Sequence, residues 1–369
     1  MTDHQAARRA RLSAGVTAGI ITTALAGAVH AQEAAPAIPA DPAQAQTQTQ
    51  PQQAHTLPTL QVNASQYDPD DVRPEGVTTA TKTYLAPKDI PQTIDTLEVN
   101  KYKSYGINDL ATMLDGVPGV NTSYDMRGEG VMIRGFAADS GDIYRDGVRE
   151  SGQVRRSTAN VERIEILKGP ASALYGSDAV GGVVQVFTRR GREGFAPNAS
   201  VTLGSYGHRA ATAGFSGGTG TVDYALSLGT VRERGFSATN PAVAFSGHNP
   251  DDDAFEQDSI SASLGWTLAP GWRTGLTWLQ AEGTNEYDNG AGPFNVRADT
   301  FSRALGWSLE RQWTPQARTQ FKVARSDDRS TNFNTATTIT AFNTAQTQLT
   351  LQHDWVTAIG TALVGVESI

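Results

Sequence analysis

The 369-residue chain has no cysteine, no excess of basic residues and, beyond its N-terminus, no long apolar run. The absence of cysteine excludes disulfides, thiolate zinc sites, iron–sulfur clusters and cysteine nucleophiles. Lys and Arg number 30 against 38 Asp and Glu, and this net charge of −8 argues against nucleic-acid binding. Helical membrane spans are not expected, because no run of about 18 apolar residues follows the N-terminal segment. Membrane-spanning strands stay compatible with such a composition.

Residues 1–32 have the pattern of a secretory signal peptide. Arg8, Arg9 and Arg11 form a basic region and an apolar stretch covers 12–28. The pattern Val29-His30-Ala31, with alanines at 28 and 31, resembles a cleavage site. A single helical anchor is the alternative, but the apolar run is short and rich in Gly and Thr. We therefore predict export through a cleaved signal peptide in a Gram-negative cell.

Residues 33–74 are predicted to form a disordered tether with one β-prone stretch. The first part, 33–55, holds seven Ala, six Gln and four Pro in 23 positions, too little apolar surface to offset chain entropy. The β-prone stretch is 56–64, with apolar residues at 60 and 62. It is either a strand that adds to the edge of a partner's sheet or the first strand of the following domain.

Residues 75–195 are predicted to form an α+β domain of about 120 residues, large enough for an apolar core. A helix is expected at 107–114, capped near Asn108 or Asp109, and a helical turn at 171–175. Strands are expected at 131–136, 161–167 and 183–188. Asp146-Gly147 predicts a tight turn.

Residues 196–369 alternate apolar with small or polar side chains in the two-residue period of β-strands. We predict nine strands: 199–204, 208–216, 221–232, 257–268, 272–282, 299–312, 317–326, 343–356 and 360–369. Their connections alternate between short turns and long loops (233–256, 283–298, 327–342), which favours an outer-membrane barrel over a soluble sandwich or propeller. All six Trp lie between 266 and 355, several near strand ends, as an interfacial girdle would place them.

The stretches LATMLDGVPGV, MIRGF, YRDGVR and VERIEILKGPASALYGSDAVGGVVQVFTRRG occur in that order within 90–192. Together they resemble the plug domain of TonB-dependent outer-membrane receptors. The resemblance implies an α+β plug followed by an antiparallel transmembrane β-barrel of about 22 strands, so we expect a chain that is truncated after about nine. A nine-stranded sheet cannot close into a bacterial barrel by itself.

The resemblance also implies roles for individual residues. The positions that match the plug motifs are expected to hold the plug together and seat it in the barrel: Arg134, Gly135, Asp146, Gly147, Glu162, Arg163, Lys168, Gly169, Pro170, Tyr175, Gly176, Gly181 and Gly182. The stretch 56–64 is similar to the family's TonB box, which implies these docking residues: Pro58, Thr59, Leu60, Gln61, Val62, Asn63 and Ala64. Apex loops at 123–130 and 137–142 are the candidates for ligand contact.

The sequence contains only weak catalytic motifs, whereas acidic residues in the predicted loops are candidate metal ligands. The string GFSGG at 214–218 fits the G-x-S-x-G motif, but no helix follows it, and the six His have no ligand spacing. Acidic residues gather at 251–258 and 286–299 and offer the hard oxygen donors that suit Ca²⁺. In the cobalamin-receptor branch of the family, the matching calcium ligands would be Asp251, Asp253, Asp288 and Asp299. A solvated acidic loop is the alternative.

The resemblance implies a monomeric transporter, not an enzyme, with no required cofactor and TonB as its energising partner. A ferric siderophore is the expected ligand, since YRDGVRESG and the motifs after it are most similar to siderophore receptors. Cobalamin is the alternative, favoured by the acidic loops, and haem or a carbohydrate comes after it. A signalling receptor would carry a further folded domain before the docking strand. A passive porin would lack the plug.

Overall fold

The computed structural model describes residues 76–107, 109–125, 128–138, 143–150, 158, 160–237, 239–242, 247–290, 294–358 and 360–369. The predicted signal peptide 1–32, the tether 33–74 and its docking stretch 56–64 lie outside the described residues. So do parts of both predicted apex loops, at 126–127 and 139–142. Within the described part of the chain, no helix has the length and apolar character needed to cross a membrane.

The first half of the described chain is an α+β domain, which we call the plug. Its strands are β1 (Thr93–Glu98), β2 (Val120–Asp125), β3 (Gly128–Ile133), β4 (Phe136–Ala137), β5 (Ile143–Arg145), β6 (Val148–Arg149), β7 (Val161–Lys168) and β8 (Gly182–Thr188). Its helices are α1 (Val99–Ser104), α2 (Leu110–Asp115) and α3 (Ser172–Tyr175). One sheet has the order β1-β7-β8-β5-β6, with β5 and β8 parallel, and a second has the order β2-β3-β4.

Helix α2 begins at Leu110, three residues later than the sequence predicts. Asp109 is its N-cap: one carboxylate oxygen accepts the backbone N–H groups of Ala111 and Thr112, at 2.7 and 3.2 Å. This satisfies two of the N–H groups that a helix leaves unpaired at its start. Of the two predicted caps, the aspartate is therefore the one observed.

The plug packs apolar side chains on both sides of its larger sheet. One cluster joins Leu110, Met113 and Leu114 of α2 to β-branched residues of β3, β7 and β8, such as Ile133 and Ile164. The other joins residues of the first described segment and α3 to this sheet, including Val77, Tyr144, Leu167, Tyr175 and Val183. Because both sides of β7 are covered, its alternating pattern predicts the strand but not its full burial.

The second half of the described chain is one antiparallel sheet, which we call the wall sheet. Its strands pair in sequence order: β9 (Gly194–Leu203), β10 (Arg209–Gly218), β11 (Val222–Glu233), β12 (Phe255–Ala269), β13 (Trp272–Glu286), β14 (Arg297–Thr314), β15 (Ala317–Phe333), β16 (Ile339–Thr357) and β17 (Gly360–Ser368). The nine strands observed over these residues agree with the nine predicted.

Several wall strands are longer than predicted. Strands β15 and β16 continue pairing out to Phe333 and Ile339, so the predicted long loop 327–342 shrinks to residues 334–338. The loop predicted at 283–298 shrinks to 287–296. Residues 327–332, which extend β15, are all polar and have no apolar alternation, so their place in the strand depends on backbone pairing. Long and short connections still alternate.

The two faces of the wall sheet differ in chemistry. Large apolar side chains are exposed on the face away from the plug, among them Leu264, Leu276 and Trp307. The opposite face contacts the plug and buries polar and small residues such as Ser261 and Gln348. This is the apolar-out, polar-in alternation of a membrane barrel wall. Four Trp lie near the short connections, as the girdle prediction requires: Trp266, Trp272, Trp313 and Trp355.

Candidate functional site

The hairpin between β5 and β6 turns at Asp146-Gly147, as predicted. Both residues have positive φ, 50° and 73°, which a two-residue type I′ turn requires. The Asp146 carboxylate accepts hydrogen bonds from the backbone N–H and the hydroxyl of Thr188, at 3.0 and 2.7 Å. The turn is thus fixed to β8 on one side, and its other side faces the wall sheet.

Two wall side chains bind the backbone of this hairpin. Lys322 of β15 donates to the carbonyl of Asp146. Gln348 of β16 donates to the carbonyl of Gly147 at 3.2 Å and accepts the backbone N–H of Arg149 at 3.0 Å. A Cβ on residue 147 would lie 2.8 Å from Lys322 Nζ, so the glycine leaves room for the lysine. The hairpin is therefore recognised by its shape and its backbone.

The apolar share of this contact is small. Val148 packs against Ala304 and Ala324 of the wall sheet. Asn160 adds a hydrogen bond at 2.9 Å to the hydroxyl of Ser261. Polar groups therefore make most of the contacts between plug and wall sheet, which we call the seam.

Glu165 anchors the first described segment of the plug, and the sequence pattern did not single it out. Its side chain is 0 % exposed. One carboxylate oxygen accepts the backbone N–H groups of Thr78 and Thr79 at 3.0 Å each and the Thr79 hydroxyl at 2.6 Å. The other oxygen accepts Arg163 Nε at 3.0 Å. The position of this glutamate inside an apolar central strand could have identified it, because a carboxylate that is buried with such a strand requires hydrogen-bond partners.

The predicted pair Glu162-Arg163 makes contacts within the plug, although the two side chains bind different partners. Glu162 accepts Arg192 at 3.1 Å on an exposed surface. The Arg163 guanidinium lies 3.9 Å from the centroid of the Phe187 ring and bonds to Glu165. Arg163 is thus the residue of this pair that supports the buried anchor.

Tyr175 links the same segment to the core. Its hydroxyl donates to the Thr79 carbonyl at 2.7 Å and accepts the side-chain N–H of Gln185 at 3.1 Å. Burial raises the pKa of Tyr175. The phenol therefore stays neutral and keeps its donor role at physiological pH.

Lys82 connects this segment to the wall sheet across the seam. Its Nζ lies 4.9 Å from the Tyr175 ring centroid and 3.4 Å from Glu367 Oε2 of β17. Gln352 of β16 donates to the Lys82 carbonyl at 3.1 Å. The first described segment of the plug is therefore tied both to the buried Glu165 and to the wall.

Lys168 and the glycines near it connect separate segments of the plug. Lys168 forms a salt bridge with Asp95 and donates to the Pro118 carbonyl at 2.8 Å. At Gly182, where φ is 154°, a Cβ would lie 2.2 Å from the Leu167 carbonyl oxygen, so only glycine fits. Most of the remaining predicted positions lie in tight turns or backbone contacts of the plug: Arg134, Gly135, Gly169, Gly176 and Gly181. The Pro170 carbonyl accepts a hydrogen bond from the Gln92 side chain at 3.4 Å.

A cavity of about 210 Å³ lies at the seam. Its charged lining comes from both sides: Lys82, Asp146, Arg190, Arg318, Lys322 and Glu367. A polar space of this size has room for several water molecules with hydrogen-bond partners. Water can therefore enter the seam without exposing an apolar core.

Three of the four predicted calcium ligands come together in the loops. Carboxylate oxygens of Asp251, Asp253 and Asp288 lie within 4.8 Å of one another. Burial alone would raise the pKa of Asp288, but hydrogen bonds from the Ser237 hydroxyl (2.7 Å) and the Asn249 backbone N–H (2.8 Å) outweigh it and lower that pKa. Asp288 is therefore charged at neutral pH.

The fourth predicted ligand, Asp299, lies outside this group. It belongs to β14, where it accepts the Thr284 hydroxyl at 3.0 Å. The acidic residues at 256 and 258 pair with Arg232 of β11, at 3.6 and 2.8 Å. Calcium binding stays a prediction for the three converging aspartates.

The GFSGG string does not form a nucleophile elbow. Ser216 lies inside β10, where it pairs with Ala225 of β11 and Ala196 of β9. A nucleophile elbow is a sharp turn between a strand and a helix. The serine is therefore a strand residue of the wall.

Residues 86–183 match the family model "TonB-dependent Receptor Plug Domain". The chain is 26% identical over 285 residues to the vitamin B12 transporter BtuB of Photobacterium profundum, covering 73% of this chain and 44% of that protein. It is 27% identical over 241 residues to the catecholate siderophore receptor Fiu of Escherichia coli O157:H7, covering 64% and 29%.

Solved structures show the same fold. The closed form of the ferric-catecholate receptor Fiu of E. coli K12 aligns with a TM-score of 0.62 at 20% identity, over 80% of this chain and 48% of that one. The ferripyoverdine receptor of the outer membrane of Pseudomonas aeruginosa aligns at 0.66 and 16% identity, over 81% and 45%. The chain thus spans less than half the length of these relatives. Residues 86–183 therefore match the plug domain of TonB-dependent receptors, and the comparisons support a receptor of this type in which nine wall strands follow the plug.

Proposed function

We propose that the chain acts in energised uptake of a ferric siderophore across the outer membrane, as a transporter that breaks no bond in its ligand. The observation that carries this proposal is the polar seam. A net hydrogen bond in water stabilises by only about 0.5–1.5 kcal/mol, because water replaces the lost partner. A plug held by such contacts can shift in the wall while its own apolar core stays folded.

The first described segment supports a coupling to TonB. Residues 76–82 follow the predicted docking residues 58–64 in the chain, and Glu165 and Lys82 fix them to the plug core and the wall. Tension on the docking strand would reach these contacts first. Ligand binding then acts by favouring a plug state in which the docking strand is accessible, which requires different ligand affinities in the two states.

The ligand class rests on the relatives. Several of the proteins that the chain resembles are named as siderophore receptors, and one solved structure is named as a ferric-catecholate import receptor. Cobalamin is the second candidate, because one relative is a vitamin B12 transporter that matches 73% of the chain and because three aspartates converge in the loops.

Deleting residues 58–64 tests the coupling. Cells that carry the deletion should bind an iron-loaded catecholate siderophore at the surface but lose its energised uptake, and labelled cyanocobalamin should be tested in parallel. Deleting seven residues from the tether at 44–50 is the matched control and should leave uptake intact. Uptake that survives the loss of 58–64 would contradict the proposal and would be the behaviour of a passive porin.

We also propose that the chain reaches the outer membrane as a monomer after cleavage of residues 1–32. The family places its members in the outer membrane, and the basic and apolar N-terminus supports export. Membrane fractionation and mass determination of the mature N-terminus test this. A mature chain that retains residues 1–32 would contradict the cleavage.

A further inference from the structure

The carboxylate of Glu367 connects two contacts of the seam that are otherwise separate. Its Oε2 lies 3.4 Å from Lys82 Nζ in the first described segment of the plug. The same oxygen accepts the side-chain N–H of Gln348 at 3.1 Å and the hydroxyl of Thr350 at 3.2 Å. One oxygen of β17 therefore receives donors from the plug and from β16.

Gln348 uses the rest of its amide to bind the plug hairpin. A primary amide has two N–H donors on one side and a carbonyl acceptor on the other. At Gln348 the donors meet the Gly147 carbonyl at 3.2 Å and the Glu367 carboxylate at 3.1 Å. The acceptor receives the Arg149 backbone N–H at 3.0 Å. With the amide turned over, its oxygen would face two acceptors and its NH₂ group would face a donor. The carboxylate therefore helps to fix the amide in the orientation that binds the hairpin.

Lys82 compensates the charge of this carboxylate. The side chains of Lys82 and Glu367 are 20 % and 21 % exposed, so neither is fully solvated. A partly buried carboxylate that loses its cation turns to water or to another cation. The polar cavity at the seam offers both, because Arg190 and Lys322 line it together with Glu367. Displacement of Lys82 would therefore draw the carboxylate away from Gln348.

We propose that Lys82, Glu367 and Gln348 form a release relay, in which displacement of the first described segment weakens the hold of the wall on the hairpin at 143–149. Lys82 acts on the hairpin through the wall, and Glu367 is the positioning residue that passes the change to Gln348. The plug would then be released at two places by one movement. This inference rests on the proposed function, since tension on residues 58–64 is what would displace the segment.

A route inside the plug is the alternative to the relay. Lys82 Nζ lies 4.9 Å from the centroid of the Tyr175 ring, and that ring packs against Tyr144 of β5 at a centroid distance of 5.1 Å. Glu367 is not part of this route. If it carried the effect, changes at Lys82 and Glu367 would act independently, and their effects on the hairpin would multiply. If the wall carries the effect, both changes break one pathway, and their joint effect is no larger than the larger single effect.

The test is a double-variant cycle, read by hydrogen–deuterium exchange of the hairpin amides at 143–149 in the full chain purified in detergent from outer membranes. Lys82→Met and Glu367→Met should each speed this exchange by about 2- to 10-fold, the range expected for loss of one hydrogen bond that water can replace. The combined variant should be no faster than the faster single variant. Lys88→Met, which removes an exposed lysine six residues further along the chain, is the matched control and should leave the exchange unchanged.

The other outcomes contradict the relay. Unchanged hairpin exchange in either single variant overturns the inference, and so does a combined effect equal to the product of the two. Peptides of β7 and β8 should keep their wild-type protection, because faster exchange there would mean that the whole plug is loosened and that the relay is not specific. None of these results depends on uptake. If uptake survives the deletion of 58–64 while the cycle shows coupling, the proposed function fails and the coupling between segment and hairpin stands.

Discussion

The interior of the plug is packed with apolar side chains, whereas its seam with the wall is held by polar groups. Inside the plug, Ile133, Ile164 and Ile166 are fully buried among other apolar side chains. At the seam, Lys322 and Gln348 bind backbone groups of the plug, and the apolar contact is confined to a few small residues. Apolar burial has no substitute in water, whereas seam hydrogen bonds do. The interactions within the plug are therefore stronger than those that fix the plug to the wall.

The largest effect is expected from a truncation inside the plug. Ile166→Ala should destabilise the plug by about 2–5 kcal/mol, because a buried methyl and ethyl group are lost and a cavity remains. Hydrogen–deuterium exchange of peptides from β7 and β8 measures this, and their protection should fall by about 30-fold or more. Wall peptides from β12 to β14 should change much less.

The matched control is Ile166→Val, which removes one methylene group and should destabilise by about 0.5–1.5 kcal/mol. If the alanine and valine variants open the seam as readily as they open β7, plug interior and seam form one cooperative unit. That result would remove the difference between the two regions.

The next effect concerns the buried anchor. Glu165→Gln keeps the size of the side chain but places an NH₂ group against the backbone N–H groups of Thr78 and Thr79 or against Arg163. A buried donor without an acceptor costs about 1–3 kcal/mol, so peptides covering 76–85 should exchange about 5- to 150-fold faster. The wall strands should keep their protection.

Glu162→Gln is the control for this change. Glu162 is a neighbouring acidic residue that pairs with the exposed Arg192, and exposed ion pairs contribute at most about 1 kcal/mol. Equal effects of the two substitutions on peptides 76–85 would mean that Glu165 is not the anchor.

A smaller effect is expected at the seam. Gln348→Ala removes the bonds to the Gly147 carbonyl and the Arg149 N–H, which then bind water in the polar cavity nearby. The loss should be about 0.5–1.5 kcal/mol, read as faster exchange of the hairpin amides at 143–149. Gln346→Ala, two residues along the same strand face, is the control and should leave the hairpin unchanged. A loss above about 3 kcal/mol would contradict a water-exchangeable seam.

Features with a local signal could be predicted from the sequence. The Asp146-Gly147 turn is set by two residues that tolerate positive φ, and the Asp109 cap is set by one side chain and the N–H groups just after it. The nine wall strands follow from alternation, because one face of each strand is apolar. The fold class depends on these same local patterns and was predictable.

Features that depend on distant partners could not be predicted in the same way. Glu165 meets Thr79 across 86 positions of the chain, and Lys82 meets Glu367 across 285. The extension of β15 to Phe333 depends on pairing with β16, not on side-chain rhythm. The aspartates at 251, 253 and 288 converge because loops from two strand pairs meet, whereas Asp299 continues in β14.

The last effect is a pH dependence inside the plug. Lys103 of α1 donates to the Thr158 carbonyl at 3.0 Å, and burial, with Arg189 nearby, lowers its pKa from 10.5 to about 8. The unfolded chain then binds more protons than the folded plug between pH 8 and 10.5, so stability rises with pH across this window. In wild-type protein, protection factors of peptides around α1 should therefore increase from pH 8 to pH 10. In Lys103→Met they should stay flat, because the titrating group is gone. A rise of equal size in both proteins would show that another group titrates and that the charge on Lys103 does not limit the stability of the plug.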